Sequence, residues 1–197
     1  FYAGCYFSVA AVQIISLFAL VGVKIPKPEK TRKGGRPIGV FLRKPVFVVG
    51  MICSAFGYAL MSYFMTATPL QVVNVLELGT SANATIIQWH VLAMFSPSFF
   101  TGNLINRFGI MKILCAGLFA YALAIAMALI GKNFIYYFVA LFLLGVGWNF
   151  LYIGGSSLIA SVTTPEERGR VQGVADLSTT TLVAISSFTA GGLHILF

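Results

Sequence analysis

The side chains able to do chemistry in this chain are few. Asp176 is the single acidic or basic residue inside any of its long apolar runs. An ionisable group placed there faces protein or water rather than lipid, where it can bind a cation, carry a proton or pair with an arginine such as Arg168. His90, in the triplet Gln88-Trp89-His90, titrates near neutral pH. It reads either as a proton relay, with Gln88 and Trp89 touching a solute, or as a neutral histidine hydrogen-bonded between helices. A third group lies in GVGWNFLYIGGSS, where Asn149, Tyr152 and Ser156 fall at i, i+3 and i+7 with Trp148 beside them. On a helix that is one stripe, able to hydrogen-bond and stack an organic solute. The alternative gives Gly145, Gly147, Gly154 and Gly155 the main role, as sites of close helix packing. Tyr58 shares a face with Ser54, Met61 and Met65, a pattern that also suits a core.

Enzyme chemistry finds no support. There is no G-x-S-x-G, no H-E-x-x-H, no Walker loop and no facing pair of carboxylates, so no catalytic residue, cofactor or metal is expected. Cys5, Cys53 and Cys115 fall in three different apolar segments without ligand spacing.

The elements that must position these groups follow from composition. Of 197 residues, 58% are hydrophobic and 9% charged, with a mean hydropathy of +0.91. A soluble domain needs about a quarter of its residues charged, so this chain belongs in a bilayer. Spanning the hydrocarbon takes roughly 20 apolar residues of helix. Six segments qualify, at residues 1–23, 45–66, 83–105, 113–130, 133–162 and 171–197. The expected class is all-α, a polytopic membrane bundle of six transmembrane helices. Pro97 is expected to kink the third, with nearby serines repairing freed carbonyls. The four-residue repeat Ala116, Ala120, Ala124, Ala128 is expected to let a neighbour of the fourth helix approach.

Twelve of the thirteen Lys and Arg lie in alternate loops: eight in the 24–44 connector, then Arg107, Lys112, Arg168 and Arg170. Basic loops stay cytoplasmic, so the net charge of +8 reports membrane orientation and calls for no nucleic acid partner. The connector, with Pro26, Pro28, Pro37 and Gly34-Gly35, reads as a flexible or partly extended linker. The alternative is a lipid-surface helix over residues 38–42.

TGNLINRFGIMK, residues 101–112, interrupts the apolar pattern and reads as a tight cytoplasmic turn. In TTPEERGRVQG, Thr164 is an expected N-cap, with Pro165 in the first helical position and Glu166 and Glu167 at the positive end of the dipole. With these two turns the chain resembles the major facilitator superfamily, whose G-x-L-x-D-R-x-G-R-[K/R] motif is matched by Gly102, Leu104, Arg107 and Gly109. Asn106 stands where the family has Asp, and Ile110 and Met111 replace the basic pair, with Lys112 just after.

The resemblance implies a domain plan. Residues 1–23 would be the last helix of an N-terminal half, 24–44 the cytoplasmic linker, and 45–197 five helices of the C-terminal half, with the last family helix and the rest of the N-terminal half outside the chain. It also implies a gradient-driven carrier of a small organic solute that works by alternating access, with protons as a candidate coupling ion. Its partners would be the lipid bilayer, the missing half and the solute, and its place a bacterial inner membrane with basic loops in the cytoplasm. Gate residues carried over are Gly102, Asn106, Arg107, Gly109, Lys112, Glu167, Arg168 and Arg170. Cavity candidates are Tyr58, Gln88, His90, Trp148, Asn149, Tyr152 and Asp176. The wording of MTATP, QWHVLAMF and GVGWNF looks like bacterial permeases of unassigned substrate, some linked to riboflavin-like vitamins. A polytopic receptor without transport is the rival reading.

Overall fold

The computed structural model describes residues 3–21, 23 and 35–196, with side chains from 193 onward and those of residues 3 and 5 outside the description. Residues 24–34, most of the connector, also lie outside the described residues. The chain divides into two units, Phe1–Gly34 and Gly35–Phe197. The first contains α1 (Ala3–Val21), mostly apolar, with Ser8, Gln13 and Ser16 its polar residues, and exposed at every described side chain.

The second unit holds α2 (Ile38–Leu42), α3 (Pro45–Leu70), a π-helical turn (Gln71–Val75), α4 (Gly79–Phe95), α5 (Ser98–Phe108), α6 (Ile110–Ile130), α7 (Phe134–Ser161) and α8 (Pro165–Leu196). No strand occurs among the described residues. By length and apolarity alone, three helical stretches can cross a membrane: Pro45–Val75, Ile110–Ile130 and Phe134–Ser161. The other expected spans depart from that standard for visible reasons. The third is cut at Pro97, which lacks the N–H a continuous helix needs, into α4 and α5. α8 has 32 residues, about 48 Å of helix at 1.5 Å per residue, but is rich in hydroxyls. Ser178, Thr179, Thr180 and Thr181 each donate to the carbonyl four residues earlier, which keeps those polar groups paired inside an apolar medium.

α7 is the central helix, touching α3, α4 and α6, while α8 packs along α3. Between helices in lipid there is little hydrophobic gain, so contact depends on close approach. The α7 glycines provide it. A Cβ at Gly155 would stand 2.6 Å from Gly50 O, and one at Gly145 2.7 Å from His90 O. The packing reading of these glycines therefore holds. On α6 the expected alanine stripe shifts. Gly117, Ala120, Tyr121 and Ala124 are buried, whereas Ala116 is exposed and Ala128 only partly covered. A strict four-residue repeat drifts about 40° per step on a 3.6-residue helix, so its ends leave the contact face.

Register fixes which ends meet. Leu114 meets Gly154 and Gly117 meets Leu151, so α6 runs antiparallel to α7; Gly50 meets Gly155 and Gly57 meets Leu151, so α3 does too. Trp89 pairs with Phe138 and Phe95 with Trp148, making α4 parallel to α7. Ser62 bonds Ser187, with Phe47 and Val171 in one cluster, making α3 parallel to α8. Arg43, Lys44, Arg107, Lys112, Arg168 and Arg170 consequently gather at one end of this unit, and Glu77 and Lys132 at the other.

Candidate functional site

Two places collect the sequence-selected residues. The first is a cavity of about 290 Å³ lined by Tyr58, Tyr152, Asp176, Thr179, Thr180 and Val183. Tyr152 stacks on Trp148 with ring centres 5.2 Å apart, and Tyr58 meets both edge-on at 5.6 and 5.5 Å. Offset and edge-on geometries are the favoured ones for aromatic pairs, so the three rings brace one another. Phe95 closes the far side of Trp148. On α8, Asp176, Thr179, Thr180 and Val183 follow at i, i+3, i+4 and i+7, one helical face. That spacing was legible, but only Asp176 stands out when charge is the search criterion. Asp176 accepts a hydrogen bond from Gln172 Nε2 at 2.9 Å and is not bonded to Arg168, the arginine partner considered for it.

Three cavity candidates sit elsewhere. Asn149 is fully buried and turns toward the break at Pro97. Its Nδ2 donates to Met94 O at 2.7 Å and Ser98 Oγ at 2.6 Å, and its Oδ1 accepts from Thr101 Oγ1 at 2.6 Å. The expected stripe splits because Asn149 lies about 60° round the helix from Tyr152, while Trp148 lies about 40° away. Repair of the kink comes mainly from α7, and not from the serines alone. His90 is fully buried at the α4–α7 seam, its Nδ1 2.7 Å from Leu141 O, and Nε2 has no partner among the described residues. This matches the interhelical histidine. Gln88 is exposed, and Trp89 packs its half-exposed ring on Phe138. Successive residues on a helix point about 100° apart, which is why QWH divides three ways.

The second place is the charged end. TGNLINRFGIMK is no extended turn: residues through Phe108 complete α5, α6 starts at Ile110, and Gly109 alone reverses the chain at φ 87° and ψ 150°. Only glycine adopts that backbone readily. Gly102 and Asn106 are exposed, and a Cβ at Gly102 would meet nothing. Arg107 and Lys112 are exposed and make no hydrogen bond among the described residues; Arg107 lies over the Phe108 ring at 5.3 Å.

The ion pair there involves Arg36, which no motif singles out among the connector's basic residues. Arg36 donates through its backbone N and Nε to Glu167 Oε1, each at 2.9 Å, and through Nη2 to Oε2 at 2.6 Å. Thr164 N adds a fourth bond to Glu167 at 3.2 Å, the reciprocal half of a capping box. Arg170 donates to Arg36 O, and the Arg36 guanidinium lies 4.8 Å from the centre of the Phe41 ring. The Arg36 bonds hold the Glu167 carboxyl well below the usual carboxylate range, and Glu167 in turn raises Arg36. Arg168 remains exposed. Residues 35–44 are thus ordered onto α8, and not free linker. The short helix at 38–42 exists, but it buries Phe41 against Phe47, Val171 and Ala175 instead of merely lying on a lipid surface.

The profile of the Major Facilitator Superfamily matches residues 1–188. The chain belongs to that superfamily. It is therefore an all-α integral membrane protein of a transporter family, and not an enzyme. The riboflavin transporter RfnT of Brucella anthropi is 41% identical over 198 aligned positions, 98% of this chain and 49% of that protein. Two Bacillus subtilis proteins, the uncharacterized MFS-type transporters YddS and YdeG, are 33% and 34% identical, over 85% and 76% of this chain and 38% and 34% of theirs. The chain spans about half the length, or less, of these superfamily relatives.

Proposed function

We propose that this chain forms most of one lobe of a gradient-driven secondary carrier about twice its length, and that the cavity between α3, α7 and α8 is its share of a solute site. The supporting observation is the aromatic cluster of Tyr58, Trp148 and Tyr152 standing across a cavity from Asp176. Flat faces stack an aromatic solute, and a carboxylate fixes its orientation. Residues 1–23 would close the partner lobe, with residues 24–44 as the cytoplasmic connection. The gathered basic end faces the cytoplasm of a bacterial inner membrane under the positive-inside rule. A relative named for riboflavin transport makes a flat, vitamin-like solute the first to test.

The lobes would rock about the site, exposing it to either side. At the basic end, the Arg36–Glu167 pair and the α5–α6 motif would form part of the inner gate. The proton is the candidate coupling ion, and Asp176, which borders the cavity, is a better carrier for it than His90. The full-length protein in proteoliposomes provides the test. Riboflavin uptake driven by a pH gradient is expected in the wild type, reduced in Asp176→Asn and retained in His90→Gln. Binding without flux would sink the carrier reading, and undiminished gradient-driven flux in Asp176→Asn would remove the proton assignment.

A further inference from the structure

The two walls of the cavity differ in hydrogen-bond character. On the α8 wall, Thr179 Oγ1 lies 2.9 Å from Ala175 O and Thr180 Oγ1 2.8 Å from Asp176 O. A carbonyl can only accept, so both hydroxyl protons are committed to the backbone, and each oxygen offers the cavity lone pairs alone. Asp176 adds a carboxylate; the Gln172 amide beside it is already turned to Oδ1, and Oδ2 has no partner among the described residues. Val183 completes the wall with no polar group. Across the cavity, the phenols of Tyr58 and Tyr152 can donate or accept.

We infer that the α8 wall selects hydrogen-bond donors, so that the solute seated there presents a polyhydroxylated arm to Asp176, Thr179 and Thr180 while its flat part stacks on Tyr58 and Tyr152. The acceptors are spaced for such an arm. Asp176 and Thr180 are one helical turn apart, about 6 Å along the axis, with Thr179 between them. Successive hydroxyls on a short carbon chain cover that distance. A phosphate or carboxylate on the same arm meets lone pairs and a like charge, with no donor on this wall to receive it. The wall therefore rejects as well as selects.

This inference rests on the cavity being the solute site, and the test keeps the two apart. Purified full-length protein is titrated with three probes that share one ring system: riboflavin, with its polyol arm; lumiflavin, with a methyl group in place of the arm; and flavin mononucleotide, whose arm ends in phosphate. Riboflavin is expected to bind at least about tenfold more tightly than either, because a site built to bond hydroxyls penalises a ligand lacking them. Thr180→Val keeps the shape and removes one acceptor, and should shrink the preference over lumiflavin severalfold. Asp176→Asn supplies a donor and removes the charge, and should shrink the discrimination against the phosphate. Equal affinity for all three probes, absence of riboflavin binding, or unaltered ratios in both variants would overturn the inference. Thr180 is exposed, so its replacement should leave the fold intact. Selective binding without flux in proteoliposomes would leave the inference standing and defeat the carrier proposal alone.

Discussion

The charged end and the aromatic cavity use polar groups in opposite ways. At the charged end, Glu167 receives four hydrogen bonds, three from Arg36 and one from Thr164, and Arg36 covers a buried phenylalanine. The Glu167 carboxylate is satisfied within the chain through both of its oxygens. In the cavity, Asp176 has one bond, from a neighbour on its own helix, and the threonines present lone pairs to open space. Asp176 and Thr180 are exposed, so their open lone pairs stay free for a partner that comes and goes. Satisfied polarity positions the helices, and open polarity is what the proposed solute site requires.

Changes to the packing beneath both regions should be the most severe. At Gly155 any side chain meets Gly50 O at 2.6 Å and Ser54 N at 3.0 Å, and backbone atoms cannot rotate away. Gly155→Leu should cost about 1–3 kcal/mol or more through overpacking, separating α3 from α7. A large drop in the melting temperature of the purified full-length protein is expected, and a wild-type melting curve would refute the close-approach argument. Asn149→Leu comes next. It removes the Asn149 donor from Met94 O in the core, at about 1–3 kcal/mol, while Thr101 Oγ1 keeps its bond to Pro97 O. Stability should fall while solute affinity in the folded fraction stays unchanged. Lost affinity at full stability would return Asn149 to the cavity.

The contrast also explains what could be read from the chain. Helix class, the sides on which charges gather, the N-cap at Thr164 and the glycine seam followed from composition and spacing, because membrane helices carry those signals locally. Asn149 and His90 each allow two roles in sequence, because a polar residue in an apolar run looks the same whether it faces a solute or a neighbouring carbonyl. Only the rotation of α7 against α4 distinguishes them. Arg36 was invisible for another reason. It is one of eight basic residues in a connector, and the contact that singles it out spans 131 residues of sequence. Thr179 and Thr180 had a readable signal, the helical spacing from Asp176, yet hydroxyls are common in α8 and the spacing acquires meaning only when the cavity is seen.

Breaking the clasp should have an intermediate effect with a particular signature. Arg36→Gln and Glu167→Gln should each loosen the charged end, and the double variant should be no worse than the more damaged single one, since both remove the same interaction. Its pH behaviour follows from the depressed Glu167 carboxyl. The stabilisation is full above about pH 4.5, the ordinary carboxylate value, and is lost as acid approaches the lower value of the folded protein. Across pH 5 to 8 the wild type and Glu167→Gln should therefore differ by a constant factor in transport. A ratio that changes near neutrality would mean that Glu167 titrates during transport, and the clasp would no longer be a fixed support.

The smallest expected effect is the one that most sharpens the contrast. Tyr152→Leu removes a ring that stacks on Trp148 and edges Tyr58, and the leucine still fills part of the volume. Aromatic pairing contributes about 0.5–1.5 kcal/mol beyond area, so the loss in solute affinity should be about two- to tenfold. Melting temperature should barely move, because Tyr152 is only half buried and no polar partner is orphaned by its removal among the described residues. The ratio of the two effects decides the case. If stability falls as steeply as affinity, the aromatic trio is core that happens to border a void, and Asp176 faces that void without a stacking surface opposite. If affinity falls alone, the rings belong to the solute, and the division between a satisfied end and a receptive middle holds at the level of a single side chain.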